Sequence, residues 1–175
     1  MFIKDILTSP ILAEQFDLRN DKTPDEFLSN WFSLQNAQRL VELFNKFDED
    51  KDGRLNVPEL SKFQWMLTDL FLSRAIEVLG KNGTIGFEEF IEFILIVENR
   101  KTLRAIQFLF KCLDVFDQGF IDSFCINMFF KEVLKKLSLR DPDAAKSFRA
   151  EDIRDEIFDM VNPKSPTGIT LYDLY

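Results

Sequence analysis

Apolar residues recur at a spacing of three or four positions through most of the chain, which is the period of an amphipathic helix. Alternating runs typical of β-strands are not longer than about three residues. The pattern therefore predicts an all-α protein. Its helices are expected to contain these apolar sets: Leu40, Val41, Phe44 and Phe47; Leu72, Ala75, Ile76 and Leu79; Phe90, Phe93, Ile94 and Val97; Leu109 and Leu113 behind a Thr102 cap; Ile153, Ile157, Phe158 and Val161.

Polar or proline-bearing segments separate these helices. Residues 20–25 and 139–146 are rich in charged and turn-forming residues, and Pro163 and Pro166 lie in the last loop. We interpret them as surface connections.

The segment from Asp48 to Glu59 has the spacing of an EF-hand calcium loop between two amphipathic helices. Its alternate acidic residues can all direct oxygens inward, Gly53 permits the sharp turn, and Leu55 is placed to face the core as a one-residue β-bridge. Pro58 suits the first turn of the exiting helix. The expected ligands are Asp48, Asp50, Asp52, the main-chain carbonyl of Arg54, Asn56 directly or through water, and bidentate Glu59.

The chemistry of this ligand set favours Ca²⁺. Four carboxylates within a few ångströms repel one another unless a cation lies between them. Their spacing suits a flexible shell of about seven oxygens better than the rigid octahedron of Mg²⁺. The sequence predicts one Ca²⁺ per chain.

Three further loops keep the EF-hand pattern but lack ligands. The second, residues 78–89, keeps Glu89 but has Val78 and Gly80 where oxygen ligands are needed. The third, residues 114–125, keeps Asp114, Gly119 and Ile121 but has Phe116 and Cys125 at ligand positions. The fourth, residues 162–173, keeps Ile169 but has Lys164 and Pro166 there. We expect all three loops to be structural, without metal.

EF-hand loops pair through the apolar residue at position eight. Leu55 is therefore expected to pair with Ile85, and Ile121 with Ile169. This predicts residues 1–35 as an N-terminal helical segment, 36–100 as an EF-hand pair and 101–175 as a degenerate pair.

Phenylalanine is abundant, with 20 Phe in 175 residues against two Tyr and two Trp. Several occupy helical positions beside the loops, where we expect aromatic rings to pack within each pair of hands. They are Phe44, Phe47, Phe87, Phe90, Phe110, Phe124 and Phe158.

Composition narrows the classes of function. With no His in the chain, Ser-His and Cys-His nucleophiles and most catalytic zinc sites are excluded. Cys112 and Cys125 lack zinc-ligand spacing and are expected to be buried thiols. The acidic pairs Glu88-Glu89 and Glu151-Asp152 lie on predicted helix surfaces. We do not expect an enzyme.

The net charge and the first residues of the chain limit which binding partners and which cellular location we expect. Thirty acidic and 22 basic residues give a net charge of −8, which disfavours nucleic acid. No apolar run reaches the roughly 18 residues of a membrane span, and residues 1–5 lack signal-peptide order. We therefore expect no membrane partner and a cytoplasmic or nuclear location.

Two stretches carry a more specific resemblance, residues 87–101 (FEEFIEFILIVENRK) and 155–164 (DEIFDMVNPK), together with residues 30–33 and 127–130. They resemble the C-terminal half of the B-double-prime regulatory subunits of protein phosphatase 2A. The most similar branch is the gamma type, which includes the plant tonneau/FASS protein. Members of that family are longer, and residues 3–7 look like the exit from an earlier EF-hand, so we expect this sequence to be a fragment.

The resemblance implies a calcium-binding targeting subunit that binds the phosphatase scaffold and catalytic subunits. It also implies association with centrosomes and the cytoskeleton. Asp48, Asp50, Asp52, Asn56 and Glu59 match the family's ligand positions. The alternative is a free-standing EF-hand calcium sensor or adaptor. Sensors usually have several complete loops and a Met-rich groove, whereas this chain has one complete loop and four Met.

Overall fold

The computed structural model describes residues 30–64 and 66–175, and the predicted connection at residues 20–25 and the segment 3–7 lie outside them. The chain divides into two compact units, residues 1–46 and 47–175. In the first unit, Ser33 Oγ accepts a hydrogen bond from the Asn36 N–H at 3.1 Å and thereby caps helix α1, Leu34–Phe47. The last residue of α1 already belongs to the second unit.

In the described residues of the second unit the regular elements are helices and two short strands, which confirms the all-α prediction. None of the helices in the described residues has the length and apolar content needed to cross a bilayer. In chain order the elements are α2 Val57–Leu60, α3 Asp69–Leu79, α4 Phe87–Glu98, α5 Leu103–Leu113, β1 Phe120–Ile121, α6 Ser123–Arg140, α7 Pro142–Lys146, α8 Ala150–Val161, β2 Ile169–Thr170 and a 3-10 turn, Leu171–Leu174.

Both predicted loop pairings are present. Leu55 and Ile85 form an isolated antiparallel bridge. Strand β1 pairs with β2 in antiparallel register, with Ile121 opposite Ile169. The division into segments 1–35, 36–100 and 101–175 stays a prediction.

Aromatic rings form the core beside the first loop pair. Phe47 meets Phe63 and Phe90 edge-to-face, with centroids 6.5 and 6.4 Å apart, and Phe63 meets Phe93 at 5.9 Å. Edge-to-face geometry brings the positive ring edge onto the negative face of its neighbour. Phe90 and Phe93 are fully buried and Phe47 is 4% exposed, so these rings belong to the interior of the fold.

A second core lies under the C-terminal loop pair. Its buried residues are Phe110, Ile121, Cys125, Ile126 and Ile169, with Phe130, Ile157 and Phe158 packed partly against them. Both cysteines are buried free thiols, as expected. Burial raises the pKa of Cys112 to about 12 and also raises that of Cys125.

Polar bonds join α3 to the C-terminal hands. The Arg74 guanidinium donates to the carbonyl oxygens of Lys111 and Asp114 at 3.3 and 3.1 Å and to Asp117 Oδ1 at 2.9 Å. In the first turn of α3, Glu132 Oε2 accepts from the Leu70 N–H at 3.2 Å. Charged hydrogen bonds in the first turn and in the middle of α3 therefore join this helix to the C-terminal hands.

One expectation was wrong. Residues 139–146 are not a simple connection: α6 continues to Arg140, and Asp141 then caps the N–H of Ala144 while Pro142 starts α7. A Pro at the first helical position carries no N–H to leave unpaired, so it favours this restart. Of the phenylalanines expected to pack beside the loops, Phe87 and Phe124 are 36% and 59% exposed, so they lie at the edge of the core.

Candidate metal centre

Side-chain oxygens shape the loop from Asp48 to Glu59. Asp50 Oδ1 accepts from the Asp52 N–H at 3.1 Å, and Asp52 Oδ1 accepts from the Arg54 N–H at 2.7 Å. Asp48 Oδ2 accepts from the Gly53 N–H at 3.1 Å. Gly53 has φ +77°, a left-handed conformation that glycine adopts without steric cost. These bonds turn the chain so that alternate carboxylates converge.

The convergence forms an acidic group. Asp48, Asp50 and Asp52 each offer a carboxylate oxygen, and these oxygens lie within 4.8 Å of one another. Asp48 is only 4% exposed, whereas Asp50 and Asp52 are exposed.

One oxygen of this group has unfilled hydrogen-bonding capacity. Asp48 Oδ1 is buried and has no hydrogen-bond partner among the described residues. A buried carboxylate oxygen without a partner costs free energy unless a donor or a cation reaches it. Together with two neighbouring carboxylates, it fits a hard divalent cation with oxygen ligands.

Glu59 lies outside this group of three carboxylates. It is 5% exposed, and its Oε1 accepts from the Glu49 N–H at 2.9 Å and its Oε2 from the Asn56 N–H at 3.0 Å. Asn56 Oδ1 in turn accepts from the Glu59 N–H at 3.1 Å, which completes a capping box at the start of α2. Each oxygen of Glu59 accepts one main-chain hydrogen bond and keeps a second lone pair with which it could reach a cation.

Arg54 anchors the loop to the second hand. Its Nε donates to Thr84 Oγ1 at 2.6 Å and its guanidinium also donates to the Thr84 carbonyl at 3.1 Å. Beside it, the Leu55 N–H donates to the Ile85 carbonyl at 2.7 Å, and the Ile85 N–H returns a bond to Leu55 at 3.0 Å. The pairing with Thr84 was not foreseen, since nothing local to Arg54 signals a partner 30 residues away.

The second loop is closed by a tight turn. Lys81 and Thr84 exchange two main-chain hydrogen bonds, and Asn82 and Gly83 have φ of +56° and +76°. Positive φ at both central residues is the signature of a type I′ turn, for which Asn-Gly is the preferred pair. A Cβ atom at Gly80 would lie 2.2 Å from the Thr84 carbonyl oxygen, so this position has no room for a ligand side chain. Glu89 Oε2 accepts from the Gly86 N–H at 2.9 Å instead.

In the third loop, main-chain donors occupy the retained carboxylate. Asp114 Oδ1 and Oδ2 accept from the Gln118 and Gly119 N–H groups at 2.9 and 2.7 Å. Phe116 and Phe124 stand at two loop positions and contact each other, with centroids 5.9 Å apart. Both carboxylate oxygens of Asp114 therefore have hydrogen-bond partners within the loop.

The fourth loop is held in a similar way. Asp173 Oδ2 accepts from the Thr170 hydroxyl at 2.7 Å and from its N–H at 2.8 Å. The hydroxyl bond, followed by the main-chain bond, lowers the pKa of Asp173. Hydrogen bonds to the charged form favour that form.

The geometry thus singles out the first loop among the four. Asp48, Asp50 and Asp52 lie close together, and these three residues, like Arg54, Asn56 and Glu59, stay predicted ligands. Their present partners are main-chain N–H groups for Glu59 and Asn56, and Thr84 for the Arg54 side chain.

Comparison with known proteins gives a consistent set of relatives. The chain is 38% identical over 175 residues to the B'' gamma regulatory subunit of serine/threonine-protein phosphatase 2A from Xenopus tropicalis, and 36% identical to that of Homo sapiens. It is 35% identical to TON2 of Arabidopsis thaliana, a probable B'' subunit of the same phosphatase. Each match covers 98% of this chain and 38% of the relative. The resemblance to gamma-type B'' subunits is confirmed, and the chain spans well under half of their length.

A solved structure shares the fold. A chain of a PP2A PR70 holoenzyme superposes on this chain with a TM-score of 0.75 at 20% identity. The match covers 98% of this chain and 64% of that chain. No protein-family model matches the sequence.

Proposed function

We propose that this chain is the calcium-binding part of a non-catalytic regulatory subunit of protein phosphatase 2A. The supporting observation is the buried, unpartnered Asp48 Oδ1 within a group of three loop carboxylates. It occurs in a chain that is similar to B'' gamma subunits over 98% of its length. Partners of the proposed subunit are the phosphatase scaffold and catalytic subunits.

The calcium site of the proposal consists of Asp48, Asp50, Asp52, the Arg54 carbonyl, Asn56 and Glu59. One bound Ca²⁺ would satisfy Asp48 Oδ1 and offset the repulsion among the carboxylates. With one complete loop we expect a Kd of about 10⁻⁶ to 10⁻⁴ M. Titration calorimetry on metal-stripped protein should give a stoichiometry near one, and Asp48→Ala should abolish the heat. Two or more tight sites would contradict the assignment of the degenerate loops.

The phosphatase association has its own test. A tagged form of the protein, expressed from its own gene, should co-purify the scaffold and catalytic subunits at near-equal amounts. Asp48→Ala distinguishes a calcium-dependent association from a constitutive one. Recovery of the tagged protein without the scaffold and catalytic subunits would overturn this part of the proposal while leaving the calcium site intact.

We further propose that calcium acts as a staple for the first loop pair rather than as a switch that opens a groove. The tight turn at Lys81–Thr84 keeps the second loop closed by its own hydrogen bonds, and Phe90 and Phe93 are already fully buried. A sensor needs two arrangements within a few kcal/mol of each other.

A dye assay separates the staple from the sensor alternative. Calcium should raise the melting temperature with little change in binding of a dye specific for exposed apolar surface. A large, chelator-reversible increase in dye binding that Asp48→Ala removes would favour the sensor.

The proposal includes a location at the centrosome or cytoskeleton, as the resemblance to the gamma branch implies. A fluorescent fusion expressed at native level should concentrate on these structures. A uniform distribution throughout the cell cycle would contradict this location.

A further inference from the structure

A surface groove of about 350 Å³ lies along α8, away from the calcium loop. Its apolar lining comprises Ile153, Ile157 and Met160 from α8, Phe130 from α6 and Phe148 from the link that precedes α8. Phe148 is 53% exposed and Met160 is 69% exposed. Large apolar side chains grouped on a surface commonly mark an interaction site.

Only a small part of helix α8 is buried against the rest of the fold. Ala150 is its one fully buried residue, while Ile157 packs partly against the C-terminal core. The apolar residues of the groove recur at i, i+4 and i+7, which places Ile153, Ile157 and Met160 on one stripe of the helix. That stripe has the length and spacing against which another helix packs.

An acidic stripe runs beside the apolar one. Asp152, Glu156 and Asp159 also recur at i, i+4 and i+7, and their side chains have no hydrogen bond or ion pair with another described residue. Asp155, which lies beside this stripe at i+3 from Asp152 and i−4 from Asp159, is paired with Arg154 at 2.6 Å. Of the charged residues that line the groove, Asp152 and Glu156 are acidic and Arg149 is basic, so the rim carries a net negative charge.

We propose that this groove binds a basic amphipathic helix of a partner protein. The helix would place apolar residues at i, i+3 or i+4 and i+7 onto Phe130, Phe148 and the α8 stripe, and Lys or Arg residues beside Asp152 and Glu156. Complementary charge supplies orientation and faster association, and apolar contact supplies most of the affinity.

Charge argues against two other occupants. Residues 1–29 of this chain carry six acidic and three basic residues, so they would bring like charge to the rim. A second copy of the chain carries a net charge of −8. Like charges brought together at an interface oppose association.

The test uses the intact chain and a defined probe. The probe is a synthetic 18-residue helical peptide of Leu and Lys only, about 18 residues being some five turns, with Leu at i, i+3, i+4 and i+7. Controls are a peptide with the same composition in scrambled order and a peptide with every Lys replaced by Glu. Fluorescence anisotropy measures affinity, and amide chemical-shift changes locate the binding surface.

We expect the Leu/Lys peptide to shift the amides of α8 and of Phe130 and Phe148. The scrambled and Glu-containing peptides should bind at least about tenfold more weakly, and binding should weaken with salt because screening acts within about 8 Å at 0.15 M. In the protein, the double change Asp152→Lys with Glu156→Lys should weaken binding at least about tenfold. Glu88→Lys, an exposed reversal on α4, should leave it unchanged.

A second variant guards against loss of the fold. Met160→Glu changes a residue that is 69% exposed, so the circular dichroism and melting temperature should be retained while peptide binding falls. Equal binding to all variants, or shifts confined to another surface, would overturn the proposal. Tighter binding of a synthetic peptide of residues 1–29, or dimerisation that masks α8, would overturn it in favour of the other occupants.

Discussion

Replacing Asp50 with Asn should stabilise the calcium-free protein and weaken its response to calcium. Asp50 is exposed, and its Oδ1 accepts the Asp52 N–H at 3.1 Å. An Asn side chain keeps a carbonyl oxygen for that bond and removes one negative charge from the group of three. The substitution therefore isolates electrostatic repulsion from loop geometry.

The magnitude follows from the separation of the carboxylates. Oxygens within 4.8 Å repel by about 0.9 kcal/mol per pair in water and by about 3.5 kcal/mol at an effective dielectric constant of 20. Because Asp50 is exposed and has two acidic neighbours, we take a total relief near the lower limit, about 1–2 kcal/mol. For a chain of this length that raises the melting temperature by about 2–8 °C.

Calcium should cancel most of the stability that Asp50→Asn gains over the wild type. At a concentration one hundred times Kd, binding to the folded state adds about 2.7 kcal/mol to the wild type. If Asp50→Asn weakens binding tenfold, the same calcium concentration adds about 1.4 kcal/mol to the variant. The calcium-induced rise in melting temperature should therefore be about halved.

The assay is thermal unfolding followed by circular dichroism, in chelator and in calcium. Asp159→Asn is the control, because it removes one exposed carboxylate from α8 and leaves the loop unchanged. It should not alter the calcium-induced shift. A variant Asp50→Asn that is less stable than wild type in chelator, with an unaltered calcium shift, would refute the electrostatic reasoning.

Three other changes test the remaining geometry. Glu59→Gln should weaken calcium binding, measured by calorimetry, at least about tenfold, or about 1.4 kcal/mol, whereas Glu89→Gln should leave the affinity unchanged. A larger loss of affinity in Glu89→Gln than in Glu59→Gln would mean that the second loop holds the ion. Arg74→Ala should lower the free energy of unfolding in urea by about 1–3 kcal/mol, and Arg74→Lys should recover only part of it because Lys lacks the planar fork; full recovery would show that charge alone matters. Since burial raises the pKa of Cys112 to about 12, iodoacetamide at pH 8 should alkylate Cys112 and Cys125 at least about a hundredfold more slowly in the folded protein than in urea; rapid folded-state labelling, measured by mass spectrometry, would contradict their burial.

The first loop was predictable because its determinants are local. The convergence of Asp48, Asp50 and Asp52 depends on alternate spacing and on the turn at Gly53, all within six residues. Pairing of Leu55 with Ile85 follows as directly, because each loop presents one apolar residue at a fixed position. Short-range spacing therefore determined which loop gathers its carboxylates.

The local sequence pattern did not decide two kinds of feature. One is whether a new helix begins directly after another ends, and the other is whether an aromatic ring on a helix points to the core or to solvent. Asp141 and Pro142 are typical of a connection, yet together they cap and start α7. Phe124 and Phe90 both stand on helices beside loops, but Phe124 is 59% exposed and Phe90 is fully buried. The period of three or four positions predicts a stripe of apolar residues and does not say which neighbour covers it.

The helical class, the acidic group of the first loop and the pairing of hands were accessible from the sequence, because each depends on residues close along the chain or on one fixed loop position. Features that depend on packing between distant segments emerged only in the folded chain. There, Asp48 Oδ1 is buried without a partner among the described residues, Arg74 reaches the carbonyl oxygens of Lys111 and Asp114, and the apolar stripe of α8 lies open beside an acidic rim. Such contacts arise from the way whole helices fit together, and residue spacing along one helix cannot specify that fit.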